Sequence, residues 1–141
     1  MLTCTNVLAV KYASLMQRYV FKIAGTDEWA EAEASGNYSG SPDDARDGFI
    51  HFSSAAQVAG TLTKHFAGRN ALVLACVDTA RLGDDLKWEV SRGGKAFPHL
   101  YADLPMSAVV RSLPIPDGTP GALAADMAEM MAAKLGAEDV S

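Results

Sequence analysis

The first ordered pattern of apolar and polar positions begins at Tyr19. In Tyr19-Val20-Phe21-Lys22-Ile23-Ala24, β-branched and aromatic residues crowd together and Gly25 closes the run, which predicts a strand. Alternation places Tyr19, Phe21 and Ile23 on one face and Lys22 with Val20 and Ala24 on the other. The period then changes. Thr26 suits a helix N-cap, Asp27 and Glu28 suit the positive end of the helix dipole, and a helix through Trp29, Ala30, Ala32 and Glu33 is expected to stop at Gly36. The 11 residues from Asn37 to Asp47, rich in Ser, Gly, Pro and Asp, predict a loop of a length that often covers a site.

Gly48-Phe49-Ile50-His51-Phe52-Ser53 predicts a second short strand, with Ile50 and Phe52 on one face and Phe49, His51 and Ser53 on the other. Ser54 then caps a helix in which Gln57 reaches back to the cap, and Val58, Leu62 and Phe66 recur every fourth residue until Gly68 stops it. His51 and Ser53 are thus expected at the carboxyl end of a strand, just before a helix N-terminus whose N–H groups attract anions. The plainer alternative is a partly buried, hydrogen-bonded histidine beside a serine that helps cap the helix.

Ala71–Val77 is a continuous apolar run and predicts a central strand buried on both faces, followed by turns over Asp78–Asp85. Leu86-Lys87-Trp88-Glu89-Val90 alternates, which puts Leu86, Trp88 and Val90 inward and Lys87 with Glu89 on the opposite face. Ser91–Lys95 predicts a flexible basic loop. Phe97–Tyr101 predicts an extended segment in which Pro98 implies an edge or irregular start, and Val109–Leu113 predicts a further strand. After the Pro114–Pro120 turn cluster, Ala122–Leu135 predicts a helix with Leu123, Met127, Met130 and Met131 near one side. Five or six strands and three helices, helices early and strands late, favour α+β over a doubly wound sheet. Residues 1–18 show no period and read as an N-terminal extension. Residues 19–115 read as one domain, and 116–141 as a C-terminal helical extension packed on it.

Composition narrows the class. A chain of 141 residues, 49% hydrophobic and 21% charged, is ordinary for one globular domain. A net charge of −5 argues against binding nucleic acid by phosphate neutralisation. Cys4 and Cys76 stand far apart, and Cys76 lies within an apolar run, so a buried free thiol and a reducing, cytoplasmic setting are expected. Neither a signal-peptide pattern nor an apolar window of about 20 residues is present, so no membrane association is expected.

Candidate chemistry falls on Lys22, His51, Ser53, Glu89, the Arg92–Lys95 loop, His99 and Tyr101. Glu89 beside Trp88 reads either as a carboxyl with a raised pKa that acts as acid or base, or as a solvated charge on an edge strand. Arg92-Gly93-Gly94-Lys95 reads either as an anion-wrapping loop or as a plain hairpin. Three histidines without close ligand spacing and no paired cysteines give no expectation of a metal. Ser53 lacks a G-x-S-x-G elbow, and Walker A and G-x-G-x-x-G patterns are absent, so serine hydrolysis, P-loop chemistry and Rossmann-type binding are not expected.

Taken together, Tyr19-Val20-Phe21-Lys22-Ile23, Glu28-Trp29, Gly48-Phe49-Ile50-His51-Phe52-Ser53, Asp78-Thr79-Ala80-Arg81-Leu82, Lys87-Trp88-Glu89 and Phe97-Pro98-His99-Leu100-Tyr101 resemble the DUF952 family of small bacterial proteins. The likeness spans about residues 19–115. That family is biochemically uncharacterised and is similar to the ADP-ribosyltransferase superfamily, which includes RNA 2′-phosphotransferases. The resemblance implies a split, mostly antiparallel sheet with flanking helices, gripping NAD as substrate in a cleft. It further implies substitution at the nicotinamide ribose C1′, with Glu89, His51 and Ser53 in catalytic positions. Lys22, His51, Ser53, Arg92 and Tyr101 would then contact the nucleotide. Lys22 departs from the histidine of many relatives, and a charged lysine cannot accept a hydrogen bond. The alternative is a non-catalytic module that binds a nucleotide-like or other small anionic ligand in the same cleft.

Overall fold

The computed structural model describes residues 18–140, apart from the side chains of Arg92 and 136–140. The extension read over residues 1–18, Cys4 included, lies outside the described residues except for Arg18. Strand β1 (Tyr19–Gly25) leads into α1 (Thr26–Ser35), with Gly25 rather than Thr26 in the N-cap place and Gly36 closing the helix. The expected loop at 37–47 is instead structured: β2 (Asn37–Tyr38) is followed by α2 (Pro42–Asp47). Then come β3 (Ile50–His51), a 3₁₀ turn at Ala55–Gln57, α3 (Val58–His65) and β4 (Leu72–Asp78). Strands β5 (Leu86–Val90), β6 (Ala96–Leu100), β7 (Leu104–Pro105) and β8 (Val109–Ile115) precede the long helix α4 (Gly121–Val140).

Among the described residues every strand pairing is antiparallel, and the strands form two three-stranded sheets, β1-β4-β8 and β3-β6-β5, with β2 and β7 paired apart. This is the expected α+β class. As its apolar run predicts, β4 is the central strand and is buried along its whole length. One face packs Phe21, Leu74 and Cys76 against Val58 and Leu62 of α3 and Ala124, Ala128, Met131 and Ala132 of α4. The other packs Val20, Val73 and Ala75 against Trp29, Tyr38, Ile50, Phe52 and Leu100. Cys76 is a buried free thiol whose pKa burial pushes up to about 12.

Three expectations are corrected. On β5, an edge strand of its sheet, Trp88 and Val90 are 43% and 75% exposed rather than inward. Segment 97–101 is not an edge, since β6 is the middle strand and Pro98 is buried. Proline has no N–H to return the bond that Phe52 N donates to Pro98 O at 2.9 Å, and β3 leaves the ladder at that pair. On α4 Met131 is buried and Met127 packs beside it as expected, but Ala124, Ala128 and Ala132 supply the rest of the buried stripe, and Leu123 and Met130 are 51% and 71% exposed. A Cβ at Gly121 would stand 2.8 Å from the carbonyl oxygen of Ala59 on α3.

The short segment 50–53 joins the two sheets. Ile50 and His51 pair with β6, and two residues on, Ser53 bridges to Phe21 of β1 through bonds of 2.7 and 2.8 Å. The crossing places His51 and Ser53 where the sheets part.

Candidate functional site

A cavity of about 270 Å³ opens at that parting. Its walls come from β1, α2, segment 51–53, α3 and the β5–β6 hairpin, and they include Phe21, Phe52, Phe66 and Phe97 as well as Lys22, Asp44, Asp47, His51, Ser53, Thr61, Ser91 and His99.

Helix α2 exists because Ser41-Pro42-Asp43-Asp44 is a start signal. Ser41 Oγ accepts from Asp44 N, Asp44 Oδ2 accepts from Ser41 N, and Pro42 fills a first-turn place where no N–H is needed. The capping carboxylate does more than cap. Asp44 is 2% exposed, and besides Ser41 N at 2.9 Å it accepts from Lys22 Nζ at 2.9 Å, His51 N at 3.1 Å and His51 Nδ1 at 2.6 Å. Burial alone would raise this carboxyl. The His51 bond, the Lys22 charge and the Ser41 bond together outweigh it and hold the group well below the usual carboxylate range. Lys22, 5% exposed, also donates to His51 O at 2.9 Å. Burial pulls its pKa down, against the charge and bond of Asp44.

His51 therefore has a carboxylate on each side, with Asp44 at Nδ1 and Asp47 Oδ2 2.9 Å from Nε2. Both contacts are hydrogen bonds only when the ring carries both protons, since ionised carboxylates only accept. Asp47 is 35% exposed and shared with Arg46 at 3.2 Å, so it is the more accessible of the two carboxylates on His51. Ser53 is buried and bonded through Oγ to Thr61 Oγ1 at 2.8 Å.

A second histidine–carboxylate pair lies beside the first. His99 pairs with His51 across β3 and β6, and the rings meet edge to face at 5.6 Å. His99 Nδ1 lies 2.9 Å from Glu89 Oε1, and Tyr101 donates to the same oxygen at 2.6 Å. The Tyr101 bond and then the His99 bond hold the Glu89 carboxyl below its ordinary value, opposite to the raised pKa that Trp88 suggested. Trp88 lies on the other face of β5, so it does not desolvate the carboxylate. Phe49 stacks on the His99 ring at 4.1 Å between centroids.

Of the residues singled out from sequence, Lys22, His51, Ser53 and His99 line the cavity together. Glu89 and Tyr101 do not line it and reach it through His99. The backbone of Arg92 lies in the β5–β6 hairpin, where Ser91 N donates to Lys95 O, and its side chain lies outside the described residues. Asp44 and Asp47, which were not singled out, complete the lining. The capping box with Pro42 at its start was a readable signal for Asp44, whereas no local pattern points it at Lys22. Among the described residues, no group of His, Cys, Asp and Glu is placed to hold a metal ion, and no helix is long and apolar enough to cross a membrane.

The sequence profile of one family, described as a protein of unknown function, matches residues 23–112. The chain belongs to the DUF952 family. Its DUF952 region is similar to protein CC0527 from Caulobacter crescentus. The crystal structure of that protein is 47% identical with a TM-score of 0.66, over 67% of this chain and 83% of that one. Its solution structure is 45% identical with a TM-score of 0.64, over 70% and 85%. No curated protein matches.

Proposed function

We propose that this DUF952 protein binds the ribosyl end of a nucleotide-like ligand in the cavity and is an NAD-using enzyme of ADP-ribosyltransferase type, acting at the nicotinamide ribose C1′. One observation carries the reading: two imidazoles, each with a carboxylate at Nδ1, meet at 5.6 Å on the wall of one cavity. Such pairs suit proton transfer and the binding of ribose hydroxyls. The volume, about 270 Å³, falls just below the usual range of ligand pockets, about 300 Å³ upward, and so suits one heteroaromatic ring with its sugar rather than a whole dinucleotide. Phenylalanines supply the apolar wall for the ring. Carboxylates at the mouth favour the positive charge that develops as a glycosidic bond to ribose loosens.

A second reading, a non-catalytic module for a nucleotide-like or small anionic ligand, is favoured by the commitment of Lys22 to Asp44 and by the position of Glu89 behind His99. Calorimetry with NAD and ADP-ribose, together with an assay for released nicotinamide, separates the two. Heat with release supports the enzyme, and heat without release supports the module. The absence of heat with either compound at millimolar concentration removes both.

A further inference from the structure

We propose that His99 is the group that exchanges a proton with the substrate, and that Glu89 is a positioning residue acting through it. This rests on the ribosyl reading above. His99 is 5% exposed and borders the cavity, whereas Glu89 does not border it. Both line the same face of the β5–β6 pair, because Glu89 is paired with Phe97 and Lys87 with His99.

A single atom, Glu89 Oε1, takes both Nδ1 of His99 at 2.9 Å and the Tyr101 hydroxyl at 2.6 Å. An ionised carboxylate only accepts, so Nδ1 bears the proton and Nε2 of the neutral ring keeps its lone pair. Nε2 has no hydrogen-bond partner among the described residues. Phe49 lies flat on the imidazole and His51 abuts its edge, which fixes the plane of the ring. In the transfer, the acceptor oxygen bonds to C1′, the C1′–N bond breaks, and its electron pair leaves on neutral nicotinamide. The acceptor's proton passes to Nε2, while the bond between Nδ1 and Glu89 keeps the ring in place.

A substituted pair at position 89 tests this. The carbonyl oxygen of glutamine can accept both bonds, so Glu89→Gln is expected to keep kcat for nicotinamide release within about threefold of the wild type. Glu89→Ala is expected to lower kcat about tenfold with little change in KM, the effect of one lost hydrogen bond. His99→Asn is expected to lower release at least about a hundredfold while the heat of NAD binding persists. A Gln variant as slow as the Ala variant would mean that Glu89 acts by charge, and the inference fails.

Long-range ¹H–¹⁵N spectra give a readout without substrate. Neutral His99 is expected as the Nδ1–H tautomer in the wild type and to lose that preference in Glu89→Ala. An Nε2–H tautomer in the wild type overturns the inference alone. Absence of heat with NAD instead removes the ribosyl reading and the proposed proton transfer with it.

Discussion

Asp44→Ala is the most demanding test of how the site is held together. The substitution removes the acceptor for four N–H donors, two of them backbone groups, and leaves Lys22 at 5% exposure without its counter-charge. Breaking a buried pair from one side costs about 3–5 kcal/mol, because the remaining charge stays desolvated. For a domain whose total stability is about 5–15 kcal/mol, that is a large fraction, and it corresponds to a Tm lower by roughly 10–20 °C. Urea unfolding followed by far-UV circular dichroism measures it, with an unchanged slope showing that the folded state keeps its compactness. The double variant Lys22→Met with Asp44→Ala removes the stranded charge as well and is expected to recover about 2 kcal/mol. The rest is not recovered, because Ser41 N and His51 N still lack their acceptor. An Asp44→Ala loss below about 1 kcal/mol, or a double variant no more stable than the single, would refute the view that this carboxylate anchors the site.

Three further outcomes follow from particular atoms. Tyr38 is 3% exposed and its hydroxyl has no partner among the described residues, so Tyr38→Phe is expected to gain about 1 kcal/mol, and a lower Tm would contradict this. Gly121→Ala is expected to lose about 1–3 kcal/mol despite the higher helix propensity of alanine, since the added Cβ would stand 2.8 Å from Ala59 O and 2.9 Å from Thr63 Oγ1. The folded-state pKa of Asp44 lies below its unfolded value, so its contribution is full above about pH 4 and is lost as pH falls toward the folded pKa. The stability gap between wild type and Asp44→Asn is therefore expected to shrink in acid, and a gap constant down to about pH 2 would count against the bonding described.

Local pattern determined much of this protein. The run Ala71–Val77 made β4 central, alternation put Lys22 with Val20 and Ala24, and the Ser54–Gln57 cap appears as the 3.0 Å bond from Ser54 N to Gln57 Oε1. His51 and Ser53 could be singled out because a strand running directly into a helix start lies within a few residues of sequence. Local pattern failed where the deciding partner is distant. Trp88 alternates as an inward residue would, but whether a face is covered depends on what packs against it, and Trp88 and Val90 are 43% and 75% exposed among the described residues. Asp44 sat in a stretch of turn-forming residues, and its bond to Lys22, 22 positions away, exists only once β1 and segment 50–53 are side by side. His99 meets His51 across 48 residues through pairing of β3 with β6. The sequence thus determined which side chains could form strands, caps and charged pairs. The tertiary structure alone decided which of those pairs meet, because desolvation and strand register are set by neighbours that no local window contains.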